Sequence, residues 1–370
     1  MRNRDFLVIP LIALMTVVAM LAASEWLARL RFVQLGKETC GVWDALHGAR
    51  LSGSCVSRIK SAEGPWVENA YNACGYRTRE SCGATPAGAI RLALLGASTA
   101  QGYKVPYEQA FAPRAAQALA AQCGRPVEIQ NMGVPGYKMI DHYLRLDEAL
   151  ALKPEVVVLA LSAYELVDMT DPDWLAKRKT PELLKRQPGQ ASAAPARRDL
   201  IVAVDAMVAN SRAVLAAQHY LYQDRGRYVD LFLMHGDKAD YLRHPFSAKW
   251  EQRLSELELM LGEMAESARR VGVPLVLLFG PQRVQAALVD PATWPAGVDP
   301  SAIDRRIAEI GRRTGVVVVD GLQAMTGLVQ PWRLYYPVDG HMTGEGHALL
   351  AQTLVTELLA QRVGPFSACH

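Results

Sequence analysis

From residue 90 onward, short and nearly continuous apolar runs alternate with longer amphipathic stretches. The runs at 90–95 (IRLALL), 127–131, 156–161 (VVVLAL), 274–279 (PLVLLF) and 316–319 have strand length. Strands covered on both faces need apolar residues at successive positions, and most of these runs supply them. Between them, 107–122, 139–152, 249–270, 301–313 and 344–361 read as helices. In the last, Ala348, Leu349, Leu350, Leu354, Leu358 and Leu359 recur near helical spacing and make one packing face. Five strands alternating with five helices predict an α/β fold, a doubly wound five-stranded parallel sheet over about 89–365.

Two stretches break that rhythm. Residues 6–23 (FLVIPLIALMTVVAMLAA) carry no charge, and a bilayer core takes roughly 17–25 such residues. Arg2 and Arg4 precede the run, which keeps 1–5 on the cytoplasmic side of a transmembrane anchor. A cleaved signal peptide is the alternative, with Ala22-Ala23-Ser24 as small residues for a peptidase. Either reading sends the rest of the chain out of the cytoplasm. The second break is a helical insertion at about 168–248, with a flexible link at 187–198 (QPGQASAAPARR) and a helical pattern at 200–223. Asp205 and Arg212 argue against a second membrane span there. Residues 24–88 show little regular period and read as a stem or cap.

Composition adds compartment and excludes one partner class. Of six cysteines, Cys40, Cys55, Cys74 and Cys82 crowd the stem, at spacings unlike any zinc site. They fit disulfides formed in an oxidising compartment, with three pairings open; Cys123 and Cys369 add a bridge or stay free. A net charge of +3, with no basic run interleaved with aromatics, gives no footprint for nucleic acid.

The candidate chemistry sits at two strand ends. Leu94-Leu95-Gly96-Ala97-Ser98-Thr99-Ala100-Gln101-Gly102 closes the first strand, where doubly wound sheets bind ligands. No Gly-Lys-Ser/Thr follows, so the turn is not a phosphate loop. Ser98 can present a hydroxyl there, beside backbone N–H groups suited to an oxyanion. A hydroxyl needs a base to act as nucleophile, and the base needs an acid to orient it. The loop 336–347 (YPVDGHMTGEGH) supplies both in Asp339 and His341, while His347 falls inside a helix and reads as structural.

Together these blocks resemble the SGNH/GDSL hydrolase superfamily: Gly-Ala-Ser98-Thr with Gly102, then Asn131-Met132-Gly133, then Asp339-Gly340-His341 with Glu345-Gly346-His347. Asn72-Ala73-Cys74-Gly75-Tyr76-Arg77 looks like the lead-in of its membrane-anchored bacterial members, and the likeness spans about 71–359. The resemblance implies Ser98 as nucleophile, His341 as base and Asp339 as orienting acid. It implies an oxyanion hole from the N–H groups of Ser98 and Gly133. The family's Gly-x-Asn-Asp block is replaced by 161–165 (LSAYE), which puts Tyr164 where an Asn would donate, with Ser162 as another donor. Asp320, and a pairing of Ser98 with His142 beside Asp141, are weaker rivals; Glu165 and Asp168 read as loop or insertion contacts.

The expected function is hydrolysis of an acyl ester on an envelope glycan or lipid, with no metal or organic cofactor. Transfer of the acyl group to an exopolysaccharide or peptidoglycan hydroxyl is the alternative. A non-catalytic glycan-binding or assembly subunit is a third reading. The expected partners are an acylated carbohydrate or lipid, the membrane through the N-terminal helix, and envelope polysaccharide machinery. The expected location is a bacterial inner membrane, crossed once, with the catalytic domain on the periplasmic side.

Overall fold

The computed structural model describes residues 5–44, 48–167, 169, 208 and 210–369. Asp168, the link at 187–198 and the start of the helical pattern at 200–223 lie outside the described residues. The first helix, α1 (Asp5–Arg31), runs on well past residue 23. Its segment Val8–Arg31 contains an 18-residue stretch with a mean hydropathy of 2.1 and is long and apolar enough to cross a membrane.

The stem is more ordered than its sequence suggests. Two antiparallel hairpins fill it, β1 (Gly41–Asp44) with β2 (Gly48–Leu51) and β3 (Val56–Lys60) with β4 (Trp66–Ala70). The reading of 24–88 as lacking regular structure is corrected here. Strands of four or five residues with exposed positions give almost no periodic signal, and the stem is pinned by cross-links together with a small cluster of Cys40, Leu51 and Tyr71 against Ala97, Val134 and Tyr137. Cys40 bonds Cys55 and Cys74 bonds Cys82. A third disulfide joins Cys123 to Cys369, so every cysteine is paired.

The main domain follows in chain order as β5 (Ile90–Gly96), α2 (Ser98–Gln101), α3 (Phe111–Cys123), β6 (Val127–Asn131), α4 (Met139–Leu144), α5 (Leu146–Ala151) and β7 (Val156–Leu161). After the insertion come α8 (Ala248–Arg270), β8 (Leu275–Phe279), α9 (Arg283–Ala287), α10 (Ala302–Thr314), β9 (Val317–Asp320) and α11 (Gly344–Ala360). The described part of the insertion is helical, with α6 (Arg212–Leu221) and α7 (Arg225–Leu233). All four neighbouring pairs of the five-stranded sheet are parallel, in the order β6-β5-β7-β8-β9.

Side chains alternate across each strand, so one strand feeds two cores. Leu92 and Leu94 of β5 pack with Phe111 and Leu119 of α3 and Leu350, Leu354 and Leu358 of α11. Ala93 and Leu95 pack on the other face with Leu254, Leu257 and Leu261 of α8 and Ile303 and Ile307 of α10. One polar pair interrupts the sheet: Arg91 of β5 sits opposite Glu128 of β6, with Nε donating to Oε1 at 2.5 Å. The helix expected over 139–152 is broken at Arg145, which turns its guanidinium inward. Nη1 donates to the Met132 carbonyl at 2.7 Å and Nε to Glu148 at 2.9 Å.

The insertion is tied to the first helix. Glu25 of α1 accepts from Ser211 Oγ at 2.8 Å and from the N–H groups of Arg212 (3.1 Å) and Ala213 (2.9 Å). Those are unpaired donors of the first turn of α6, and a carboxylate is the group that satisfies them.

Candidate active site

The sheet order reverses at β5, which has β6 on one side and β7 on the other. Such a switch point opens a crevice beyond the carboxyl ends of the strands. Ser98 stands there, half-buried, at the first residue of α2. Its Oγ lies 2.8 Å from His341 Nε2, and Asp339 Oδ1 lies 2.6 Å from His341 Nδ1. The carboxylate fixes the proton on Nδ1, so Nε2 is the acceptor for the serine hydroxyl. Three residues expected to act together are therefore in contact, although 243 positions separate Ser98 from His341.

The loop carrying the acid and the base is a tight turn. Tyr336 N–H donates to the His341 carbonyl and Gly340 N–H to the Tyr336 carbonyl, both at 2.9 Å. Gly340 takes φ +79°, the left-handed conformation that glycine enters without strain, and so lets Asp339 and His341 approach each other two positions apart. Thr343 then caps α11, accepting from Gly346 N–H at 3.4 Å. Tyr103 places its ring edge-on to His341, with centroids 5.0 Å apart.

Asp339 has a second partner. Lys104 Nζ donates to its other oxygen, Oδ2. Burial alone would raise this carboxyl, but the hydrogen bond and charge of His341 and the nearby ammonium outweigh it and bring it down from 3.8 to about 2. Asp339 is an anion throughout the neutral range.

The nucleophile turn is clamped from behind. Buried Arg77 donates through Nη1 to the carbonyls of Gln101 (2.9 Å) and Gly102 (2.6 Å), and through Nη2 to Val105 (2.9 Å). Arg77 ends the Asn-x-x-Gly-Tyr-Arg segment, so that lead-in has a mechanical job. Arg283 holds the other loop, donating to the carbonyls of Pro337 (2.7 Å) and Tyr222 (2.6 Å).

Other expectations need correction. Gly133 N–H donates to Asn131 Oδ1 at 3.1 Å and is buried, so it is committed and not presented to a ligand. Its glycine has a packing reason, since a Cβ there would lie 2.4 Å from Gln101 N. Gly136 in the same loop is exposed, with φ +85°. Among the described residues the N–H groups of Ser98 and Gly136 have no hydrogen-bond acceptor. Tyr164 is 56% exposed with Lys138 Nζ 3.5 Å from its ring centroid, and among the described residues its hydroxyl makes no hydrogen bond to Ser98. Ser162 is no free donor either: its Oγ donates to Glu165 at 2.5 Å and accepts from Gln282 Nε2 at 2.8 Å.

The rival residues are occupied elsewhere. Asp320 accepts from the N–H groups of Leu322 (2.8 Å) and Gln323 (3.2 Å), while Asp141 accepts from Lys138 N–H at 2.7 Å. Glu165 is buried as a cap on Ser162 N–H at 2.8 Å, a structural place instead of a solvated loop. His142 is buried beside Tyr137, and burial with the Arg145 charge lowers it to about 3. His347 accepts from Phe111 N–H at 3.3 Å and stacks on that ring, as a structural histidine should. Among the described residues, no group of three or more His, Cys, Asp or Glu could hold a metal ion.

Lys104, Arg77, Arg283 and Glu63 were not singled out from sequence. Only Arg77 had a local signal, its place in the lead-in; the others act across long separations.

A model of the GDSL-like lipase/acylhydrolase family matches residues 94–349. No curated protein matches the chain. Among solved structures, an acetyl xylan esterase from Geobacillus stearothermophilus is 14% identical over 73% of this chain and 94% of its own, with a TM-score of 0.40. A lipase/acylhydrolase from Enterococcus faecalis is 16% identical over 74% of this chain and 96% of its own, also with a TM-score of 0.40.

Proposed function

The chain belongs to the GDSL-like lipase/acylhydrolase family, which makes it a serine esterase or acyltransferase, and from that premise we propose that it removes acyl groups from a cell-envelope glycan or lipid through an acyl-enzyme at Ser98. The observation that carries this reading is the unbroken relay from Ser98 Oγ to His341 Nε2 at 2.8 Å and from His341 Nδ1 to Asp339 at 2.6 Å.

Ser98 Oγ attacks the ester carbonyl as His341 Nε2 takes its proton. The tetrahedral oxygen gathers negative charge beside the open N–H group of Ser98, just past the end of β5. Collapse breaks the bond to the alcohol oxygen, which leaves with the proton from His341. Water then adds to the acyl carbon as His341 takes its proton, and collapse breaks the bond to Ser98 Oγ, which recovers that proton from His341 as the carboxylic acid leaves. Asp339 stays ionised and holds the imidazolium in each half-reaction.

The apolar helix and the three disulfides support placement as a single-pass protein with its catalytic domain outside the cytoplasm. A membrane-tethered acyl-enzyme beside polysaccharide export can equally pass its acyl group to a sugar hydroxyl, and that is the second reading. Both readings share the acyl-enzyme and differ in what accepts the group.

The test is turnover of short-chain aryl esters by solubilised full-length protein, its Ser98→Ala and its His341→Ala variants. Equal rates in all three would end the reading. Product analysis with an acetyl donor, with and without a glycan acceptor, separates hydrolysis from transfer.

A further inference from the structure

We propose that Glu63, in the turn between β3 and β4, is a positioning residue for the Asp339–His341 pair and is itself held by His219 of α6. The inference rests on the reading of His341 as the base.

Glu63 comes from the stem, outside the parallel sheet, yet its side chain is only 3% exposed. Its carboxylate accepts from the N–H of Asp339 at 2.8 Å and of Val338 at 3.1 Å. It also receives His219 Nδ1 at 2.7 Å. His219 is backed by Phe32, which follows α1, with ring centroids 5.1 Å apart. One carboxylate thus gathers donors from the acid's own loop and from the insertion.

The placement bears on chemistry because Glu63 binds the backbone of the residue that orients the base. Inside the turn over 336–341 two hydrogen bonds and a glycine at φ +79° set the path, and Arg283 holds it at the Pro337 carbonyl, but of these none grips the Asp339 N–H. Fixing the Asp339 N–H fixes where its carboxylate meets His341 Nδ1. Displacing reacting groups by about 1 Å costs on the order of 10²-fold in rate. Charge-assisted hydrogen bonds to consecutive N–H groups suit that purpose better than exchangeable water. Stem and insertion therefore complete the active site.

The test uses solubilised full-length protein and two readouts, kcat and KM on an aryl acetate, and the downfield proton resonance of His341 Nδ1–H, assigned by its loss in His341→Gln. In Glu63→Ala, kcat should fall about 10- to 100-fold with KM within about twofold, and the resonance should broaden or vanish. Glu63→Gln retains an acceptor oxygen and should recover part of both, and His219→Asn should fall between. If Glu63→Ala does not fold, the Gln and His219→Asn variants decide. Parent-like kcat and an unchanged resonance in the folded variants overturn the proposal. So does a parent lacking the resonance, because the hydrogen bond on which the proposal is built would be absent. If the parent hydrolyses no ester but its resonance still depends on Glu63, the positioning role stands and the proposed function falls.

Discussion

Lys104 and Asp339 meet across 235 positions of chain: the ammonium binds Oδ2 of the carboxylate whose Oδ1 holds His341. Both side chains are mostly buried, at 15% and 22% exposure, so solvent screens the pair less than it would a surface bridge. The charge that steadies the imidazolium is therefore shared with a fixed cation.

Removing that cation should leave Asp339 with more charge to offer the imidazolium. In Lys104→Met the Asp339 carboxyl is expected to titrate above its parent value of about 2, because one of the groups that lower it is gone. A carboxyl carbon resonance of Asp339 that titrates as in the parent would show that Lys104 has no electrical hold on the acid.

The relay should behave as one unit. Ser98→Ala and His341→Ala are each expected to lower kcat by about 10⁴-fold or more, and the double variant should lose little beyond either single one. Losses that multiply would mean the two side chains act separately, whatever their 2.8 Å separation.

Acid should weaken the fold at two positions outside the relay. Burial, aided by nearby charge, takes His142 and His347 from 6.5 to about 3. Between those values the unfolded chain binds protons that the fold refuses, so stability falls as pH drops through that window. Each histidine contributes up to about 1.4 kcal/mol per pH unit. Urea midpoints at pH 7 and pH 5 measure the slope, and His142→Leu should reduce it by about one proton. An unchanged slope in that variant would remove His142 from this account.

The disulfides should rank by the loop each closes, with separations of 246, 15 and 8 residues for Cys123–Cys369, Cys40–Cys55 and Cys74–Cys82. The chain-entropy model gives about 5.5, 3 and 2.5 kcal/mol in that order. Serine pairs at each bridge, compared by thermal unfolding, check the ranking. A mild effect at Cys123–Cys369 would mean that α3 and the C-terminal segment stay together through packing alone.

The strands of the parallel sheet were legible because burial on both faces leaves a continuous apolar run, and their predicted bounds lie within one residue of those found. The stem hairpins were not: β1 is exposed along most of its length, and its partner is fixed by backbone bonds that leave no mark in side-chain order. The break at Arg145 was hidden because its cause is a buried contact to Met132 in another segment. Ser98, Asp339 and His341 were legible through short blocks at strand ends. The family resemblance places the N–H of Gly133 in the oxyanion hole, whereas close packing on α2 is what the fold asks of this glycine. Lys104 and Glu63 are single charged residues with no local pattern, and only the folded chain brings them to Asp339.

The bond between Glu25 and the start of α6 bears on how a water-soluble version should be cut. Trimming the N-terminus to residue 33 would remove the greasy segment, but also Glu25 and Phe32, which brace α6 and His219. Three amide or hydroxyl donors would lose their acceptor, and the brace behind Glu63 would loosen. A version starting at residue 24 would shed most of the lipid-seeking stretch and keep both.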